Sequence, residues 1–372
     1  MEALWRLAYL LEPASVVLIA TAVFVVSASA QRALTFEKES ERHRDFAEAS
    51  ITLDSSQALM IPIASSCSLL LMFYLFASMS QFIMAFTAVA SASSLAFCMA
   101  PYVTYMNSQM GLLDPIIVNR GCCGSFSRTQ GLLVVVSCVV VAAWLVTGHW
   151  LLNNVLGISI CIAFVSHVRL PNIKICALLL LCLFVYDIFW VFFSEQFFGS
   201  NVMVSVATQQ ASNPIHTVAS SLNLQGLSQA ITKKLELPVK LVFPRNLLGG
   251  WIPSGSGGTE FLMLGLGDMA IPGMLLALVL CFDHRKGREH ENEGSFSRGN
   301  QYIRYAVCGY SIGLITALAA GLLSQLPQPA LLYLVPSTLG PVACAAWAQG
   351  ELGELWNGLR PVVTDKARLM EV

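Results

Sequence analysis

Two carboxylates draw attention because of the company they keep. Asp268 lies in the apolar stretch Phe261–Cys281 and Asp187 in Cys182–Phe192, among residues that otherwise avoid charge. An acid at membrane depth is costly unless it finds a partner or an aqueous cavity, so it marks a functional site by default. Two carboxyls facing each other in a low-dielectric site cannot both ionise cheaply and therefore share a proton. That arrangement suits peptide hydrolysis. The ionised partner takes a proton from a water held between the two, and the protonated partner polarises the scissile carbonyl. The same acids would also serve a polytopic ion or proton transporter, or a cation leak channel, and that is the alternative reading.

The neighbours of the acids bear on both readings. Gly265 and Gly267 flank Leu266 just ahead of Asp268, leaving room for a substrate backbone or a neighbouring helix. Each weakens a helix by roughly 1 kcal/mol relative to alanine. Pro272 comes four residues after Asp268 and has no N–H to offer the Asp268 carbonyl. Tyr186 precedes the other acid. Pro329, Ala330 and Leu331 open the last apolar stretch, and Pro336 and Pro341 kink it. Gly309 to Gly313 imitates a nucleophile elbow, but that motif needs a strand–turn–helix setting, so the two glycines read as a helix-packing face. No His-Glu-x-x-His zinc motif is present.

The elements that must position these residues are membrane spans. Of 372 residues, 56% are hydrophobic and 12% charged, with a mean hydropathy of +0.67. Soluble chains carry about 25% charged residues, so only an integral membrane protein fits. The net charge of −1 by itself says nothing about partners, and no nucleic-acid partner is expected. Nine apolar windows are expected at about 8–29, 58–76, 82–103, 131–148, 151–168, 173–196, 260–281, 302–324 and 328–348. The first reads as a signal anchor, and Gly148-His149-Trp150 as the turn of a tight helical hairpin. Spans six and seven run in opposite senses, and each acid falls about eight or nine residues inside the same membrane face, about 12–15 Å deep. Spacing alone thus pairs Asp187 with Asp268.

Basic residues set the expected orientation. Sixteen Lys and Arg fall on the side that holds loops 30–57, 104–130 and 282–301 and the tail, against five on the other. The N-terminus is therefore expected in the lumen and the C-terminus in the cytosol. The 197–259 segment is then a lumenal loop, with β-prone runs at Val202–Ala207 and Pro238–Pro244, a short helix within Thr217–Leu235 and a flexible link at Gly249–Gly258. Val239–Phe243 could offer an edge to an unwound substrate by β-augmentation. Loops 31–57 and 282–300 are polar and expected to be partly disordered. Most of the eleven cysteines lie in apolar runs, which argues against a disulfide framework.

Taken together, Tyr186-Asp187, Gly265-Leu266-Gly267-Asp268 and Pro329-Ala330-Leu331, in order on spans six, seven and nine, resemble the signature of the signal peptide peptidase and presenilin aspartyl proteases. The chain looks most like the short branch of plant signal peptide peptidase-like proteins, over about residues 58–348. The resemblance implies a presenilin-like, all-α polytopic fold of nine transmembrane helices. It implies a five-helix scaffold over 1–172, catalytic helices over 173–348 and a cytosolic tail over 349–372. It further implies that Asp187 and Asp268 are catalytic, that the other motif residues support them, and that no metal or organic cofactor is used. The implied partners are type II membrane proteins as substrates and the lipid bilayer, with a homo-oligomer left open. The tail lacks a dilysine retrieval signal, which points to endosome or Golgi rather than endoplasmic reticulum.

Overall fold

The computed structural model describes residues 9–42, 51–111, 116–120, 124–209, 211–213, 216, 234–245, 261–292, 301–324 and 328–358. Among these, nine helical stretches are long and apolar enough to cross a bilayer, from Pro13–Ser40 to Leu331–Ala348. The chain is an all-α polytopic membrane protein. Its helices are α1 (Pro13–Arg42), α2 (Ser55–Gln109), α3 (Arg128–Thr147), α4 (Trp150–His167), α5 (Ile173–Ile188), α6 (Ser194–Phe198) and α7 (Val202–Ala207), followed by α8 (Gly267–Asn292), α9 (Gln301–Ser324), α10 (Leu331–Ala348) and α11 (Leu352–Asn357). Four two-stranded pairs accompany them: β1 (Ile51–Thr52) with β4 (Val168–Arg169), β2 (Ile116–Arg120) with β3 (Gly124–Ser127), β5 (Ala211–Ser212) with β6 (Lys234–Leu235), and β7 (Lys240–Pro244) with β8 (Phe261–Gly265).

Helix α8 is the central element. Met269, Leu275, Leu276 and Val279 are fully buried, and α8 packs on α1, α4, α5, α9 and α10. One face of α1, carrying Ala14, Leu18, Ala22, Val25, Val26 and Ala30, is buried, and α1 packs on α4 and α8. The recurrence at three and four residues is the helical period, and the alanines allow close approach. The first span is thus part of the core. The α3–α4 turn forms as expected. Gly148 adopts φ 60°, the left-handed conformation that ends a helix at little cost in glycine, and the Nδ1 of His149 accepts the Leu151 N–H at 3.2 Å.

Several local expectations are corrected. The window around 260–281 is not helical throughout: Phe261–Gly265 is β8, and the helix begins only at Gly267. The glycines disfavour helix there, while β7 supplies the strand's hydrogen-bond partners. Val202–Ala207 is a helix rather than a strand because the Asn201 side chain caps it, accepting the Val204 N–H at 3.2 Å. Residues expected in polar loops continue α1 to Arg42 and α8 to Asn292. The second and third windows share one helical stretch, α2, whose sequence between Pro62 and Pro101 has no glycine or proline to break it. The flexible link at 249–258 and most of the helix expected over 217–235 lie outside the described residues; at the end of the latter, Lys234–Leu235 is a strand.

Candidate active site

Asp187 sits one residue before the end of α5 and is buried. Its Oδ2 accepts the backbone N–H of Leu331 at 3.0 Å. That donor belongs to the first turn of α10, where helical N–H groups have no partner inside the helix. Ala330 precedes it, and the Pro329 and Ala330 carbonyls accept from Leu332 at 3.2 Å and from Tyr333 at 3.1 Å. Pro329-Ala330-Leu331 therefore builds the turn that presents one free N–H to Asp187. Past Ile188 the chain enters a π-helical turn, Phe189–Phe193. Such turns leave a carbonyl without its usual donor, and here the Asn201 side chain donates to the Val191 carbonyl at 3.0 Å. The buried Trp190 donates its indole N–H to Ser66 at 3.1 Å, tying this segment to α2. Tyr186 is partly buried and lies against the Trp190 ring.

Asp268 occupies the first turn of α8, not a position deep within a helix, and is only partly buried. The helices that carry the two acids, α5 and α8, nevertheless pack on each other. The Asp187 carboxylate lies within electrostatic reach of Asp268. Leu266 is buried; its N–H donates to the Val239 carbonyl at 3.0 Å, and its own carbonyl accepts from Ala270 at 2.8 Å. This one residue passes the chain from strand to helix. A Cβ on Gly265 would stand 3.3 Å from Asp268 Oδ2, tighter than an ordinary contact, whereas among the described residues a Cβ on Gly267 would meet only Ile271 at 4.0 Å. The two glycines are not equivalent, and the first leaves the space its carboxylate uses.

The β7–β8 pair delivers Asp268 to this place. Leu241 pairs with Leu264 and Phe243 with Leu262. On the far side of β7, Asn154 of α4 forms a double bond-pair with Val242, donating to its carbonyl and accepting its N–H, each at 2.8 Å. Asn153 donates to the Lys240 carbonyl at 3.2 Å. Both edges of β7 are therefore occupied, so Val239–Phe243 does not offer the open edge that the sequence suggested. By the antiparallel alternation, the backbone groups of Phe261, Met263 and Gly265 point away from β7. Among the described residues, no strand pairs with the other edge of β8, directly ahead of Asp268.

Sequence reasoning missed Asn153, Asn154 and Tyr310. Two adjacent asparagines inside an apolar span were a usable signal, since each amide needs partners there. Tyr310, fully buried on α9, donates its hydroxyl to the Asp268 carbonyl at 3.4 Å. Gly309 and Gly313 on either side of it lie so close to Ser337 of α10 that a Cβ at either would collide with it. Among the described residues, no group of three or more His, Cys, Asp or Glu is placed to hold a metal ion.

Fold and site together define a multi-pass membrane protein that gathers two acids from adjacent helices beside a strand edge and a helix N-terminus. Comparison with known proteins is specific. The family described as signal peptide peptidase matches residues 45–361. Signal peptide peptidase-like 1 of Oryza sativa subsp. japonica is 68% identical over 374 residues, covering 100% of both chains. Signal peptide peptidase-like 1 of Arabidopsis thaliana is 69% identical over 96% of each. The Homo sapiens signal peptide peptidase is 30% identical over 82% of this chain and 74% of its own. No solved structure matches. The chain belongs to the signal peptide peptidase family, and as such it is an intramembrane protease acting on membrane proteins within the bilayer.

Proposed function

We propose that the protein is an aspartic endopeptidase that hydrolyses peptide bonds inside the spans of type II membrane proteins, with Asp187 and Asp268 as its catalytic pair. The observation that carries this reading is the packing of α5 on α8, which brings the two carboxylates within electrostatic reach of each other, one steadied by the Leu331 N–H. One carboxylate removes a proton from a water held between them, and the water oxygen attacks the scissile carbonyl carbon. The other, protonated, gives its proton to the carbonyl oxygen, forming a gem-diol. Collapse of the gem-diol breaks the C–N bond as a proton passes to the amine. Oδ2 of Asp187 is engaged by Leu331, so Oδ1 is the oxygen available to the water or shared proton. Tyr186, Gly265, Leu266, Gly267, Pro329, Ala330 and Leu331 act as support.

The β8 edge offers a way to hold a substrate. An unwound segment would pair with the outward backbone groups of Met263 and Gly265, which places its next peptide bonds near Asp268. Met263→Pro removes an outward N–H while sparing the β7 pairing. Turnover should fall while labelling by a hydroxyl-containing peptide isostere persists; equal loss of both would count against docking at this edge. The N-terminus is assigned to the lumen and the C-terminus to the cytosol, in endosome or Golgi membranes. Protease protection of terminal tags and organelle fractionation test that assignment.

The decisive test of the function is cleavage of a type II reporter by Asp187→Asn and Asp268→Asn. Loss in both, with normal accumulation, is expected, and residual cleavage in either would overturn the paired mechanism. Ion flux lost in the same variants, without any proteolysis by the parent protein, would establish the transporter reading instead.

A further inference from the structure

We infer that Tyr310 is a positioning residue for Asp268, its hydroxyl standing in for the backbone N–H that Pro272 cannot supply. In an unbroken helix the Asp268 carbonyl would accept from the residue four positions on. That residue is Pro272, so the carbonyl must find a donor elsewhere or remain unsatisfied in the protein interior. The Tyr310 hydroxyl supplies it at 3.4 Å. The bond is long for a hydroxyl and a carbonyl, so its role is to choose one orientation for the turn more than to add stability.

The location of Tyr310 gives that choice a consequence. Gly309 and Gly313 press α9 against Ser337 and Leu334 of α10, and α10 begins at Leu331, whose N–H holds Asp187. Helix α9 thus touches the supports of both acids: the Asp268 turn through Tyr310, and the helix that steadies Asp187 through its glycine face. Holding both supports against one helix sets the separation of the two carboxylates. This inference rests on the proposed catalytic role of Asp268, although the tie itself can be measured without activity.

Tyr310→Phe keeps the ring and removes only the hydroxyl. We expect kcat to fall about tenfold with KM within about twofold, the signature of misplaced groups and not of weakened substrate binding. In a Pro272→Ala background a backbone N–H returns at position 272, and the same Tyr310→Phe change should then cost about twofold or less. An equal loss in both backgrounds would show that the hydroxyl does not act by replacing the N–H that Pro272 lacks, and no loss in the first would remove the inference outright. A second readout is amide exchange at Met269, Ala270 and Ile271, measured in protein also carrying Asp268→Asn. Exchange should quicken with Tyr310→Phe only while Pro272 is present. Unchanged exchange overturns the tie, even if Pro272→Ala is inactive. Cleavage surviving in Asp268→Asn would instead overturn the catalytic assignment, leaving the exchange result to judge Tyr310.

Discussion

Replacing Asp187 in two ways separates its charge from its structural duty. Its Oδ2 is the acceptor for the Leu331 N–H at 3.0 Å in a buried setting. Asparagine keeps a carbonyl oxygen that can accept the same bond, whereas alanine leaves the N–H without a partner. A buried donor so abandoned costs about 1–3 kcal/mol, equivalent to about 5- to 150-fold in the local opening equilibrium at 1.4 kcal/mol per tenfold. The expected result is that Asp187→Asn and Asp187→Ala both lose proteolysis, while only Asp187→Ala accelerates amide exchange at Leu331, by a factor in that range. Exchange by mass spectrometry on the peptide spanning residues 329–336, in detergent or nanodiscs, makes the measurement. Equal exchange in the two variants would show that the α10 N-terminus does not depend on Asp187. Appreciable cleavage by Asp187→Asn would refute the need for an ionisable group at this position.

Other consequences can be checked alongside. Asn154→Leu preserves size but strips both bonds from Val242, at about 1–3 kcal/mol for each stranded group; a lower apparent melting temperature and faster exchange over residues 240–244 are expected, and an unchanged protein would contradict the role given to Asn154. Gly265→Ala should lower kcat by about tenfold or more, because its Cβ would crowd Asp268 Oδ2 at 3.3 Å, whereas Gly267→Ala, with no described residue nearer than 4.0 Å, should cost far less; equal kcat losses in the two would show that the crowding is not what matters. Gly309→Ala and Gly313→Ala should each reduce accumulation of folded protein, since the added carbon meets the Ser337 backbone or hydroxyl, and normal expression and stability of both would refute the close α9–α10 contact.

Much of this molecule is legible in its sequence. Long apolar runs are read directly because a bilayer demands about twenty such residues per crossing, and the windows around Arg128–Thr147 and Trp150–His167 fall within a few residues of expectation. The acids are legible for the same reason, since charge is conspicuous against that background. Local competition was harder to read. Val202–Ala207 looks like a strand by residue preference, yet a single asparagine cap makes it a helix. Phe261–Gly265 looks like part of a span, yet a partner strand, Lys240–Pro244, turns it into β structure.

The sequence by itself thus determined that the protein is a polytopic membrane protein, that Asp187 and Asp268 fall at matching depths on successive spans, and that Pro272 leaves the Asp268 carbonyl in need of a donor. Only the tertiary structure decided who answers those needs. Leu331 meets Asp187 across 144 positions of chain, Asn154 meets Val242 across 88, and Tyr310 meets Asp268 across 42. Hydrogen-bond demand is a local property of residue type and backbone, so it can be read along the chain. The identity of the donor depends on which helices pack together, and that is set by the whole core at once.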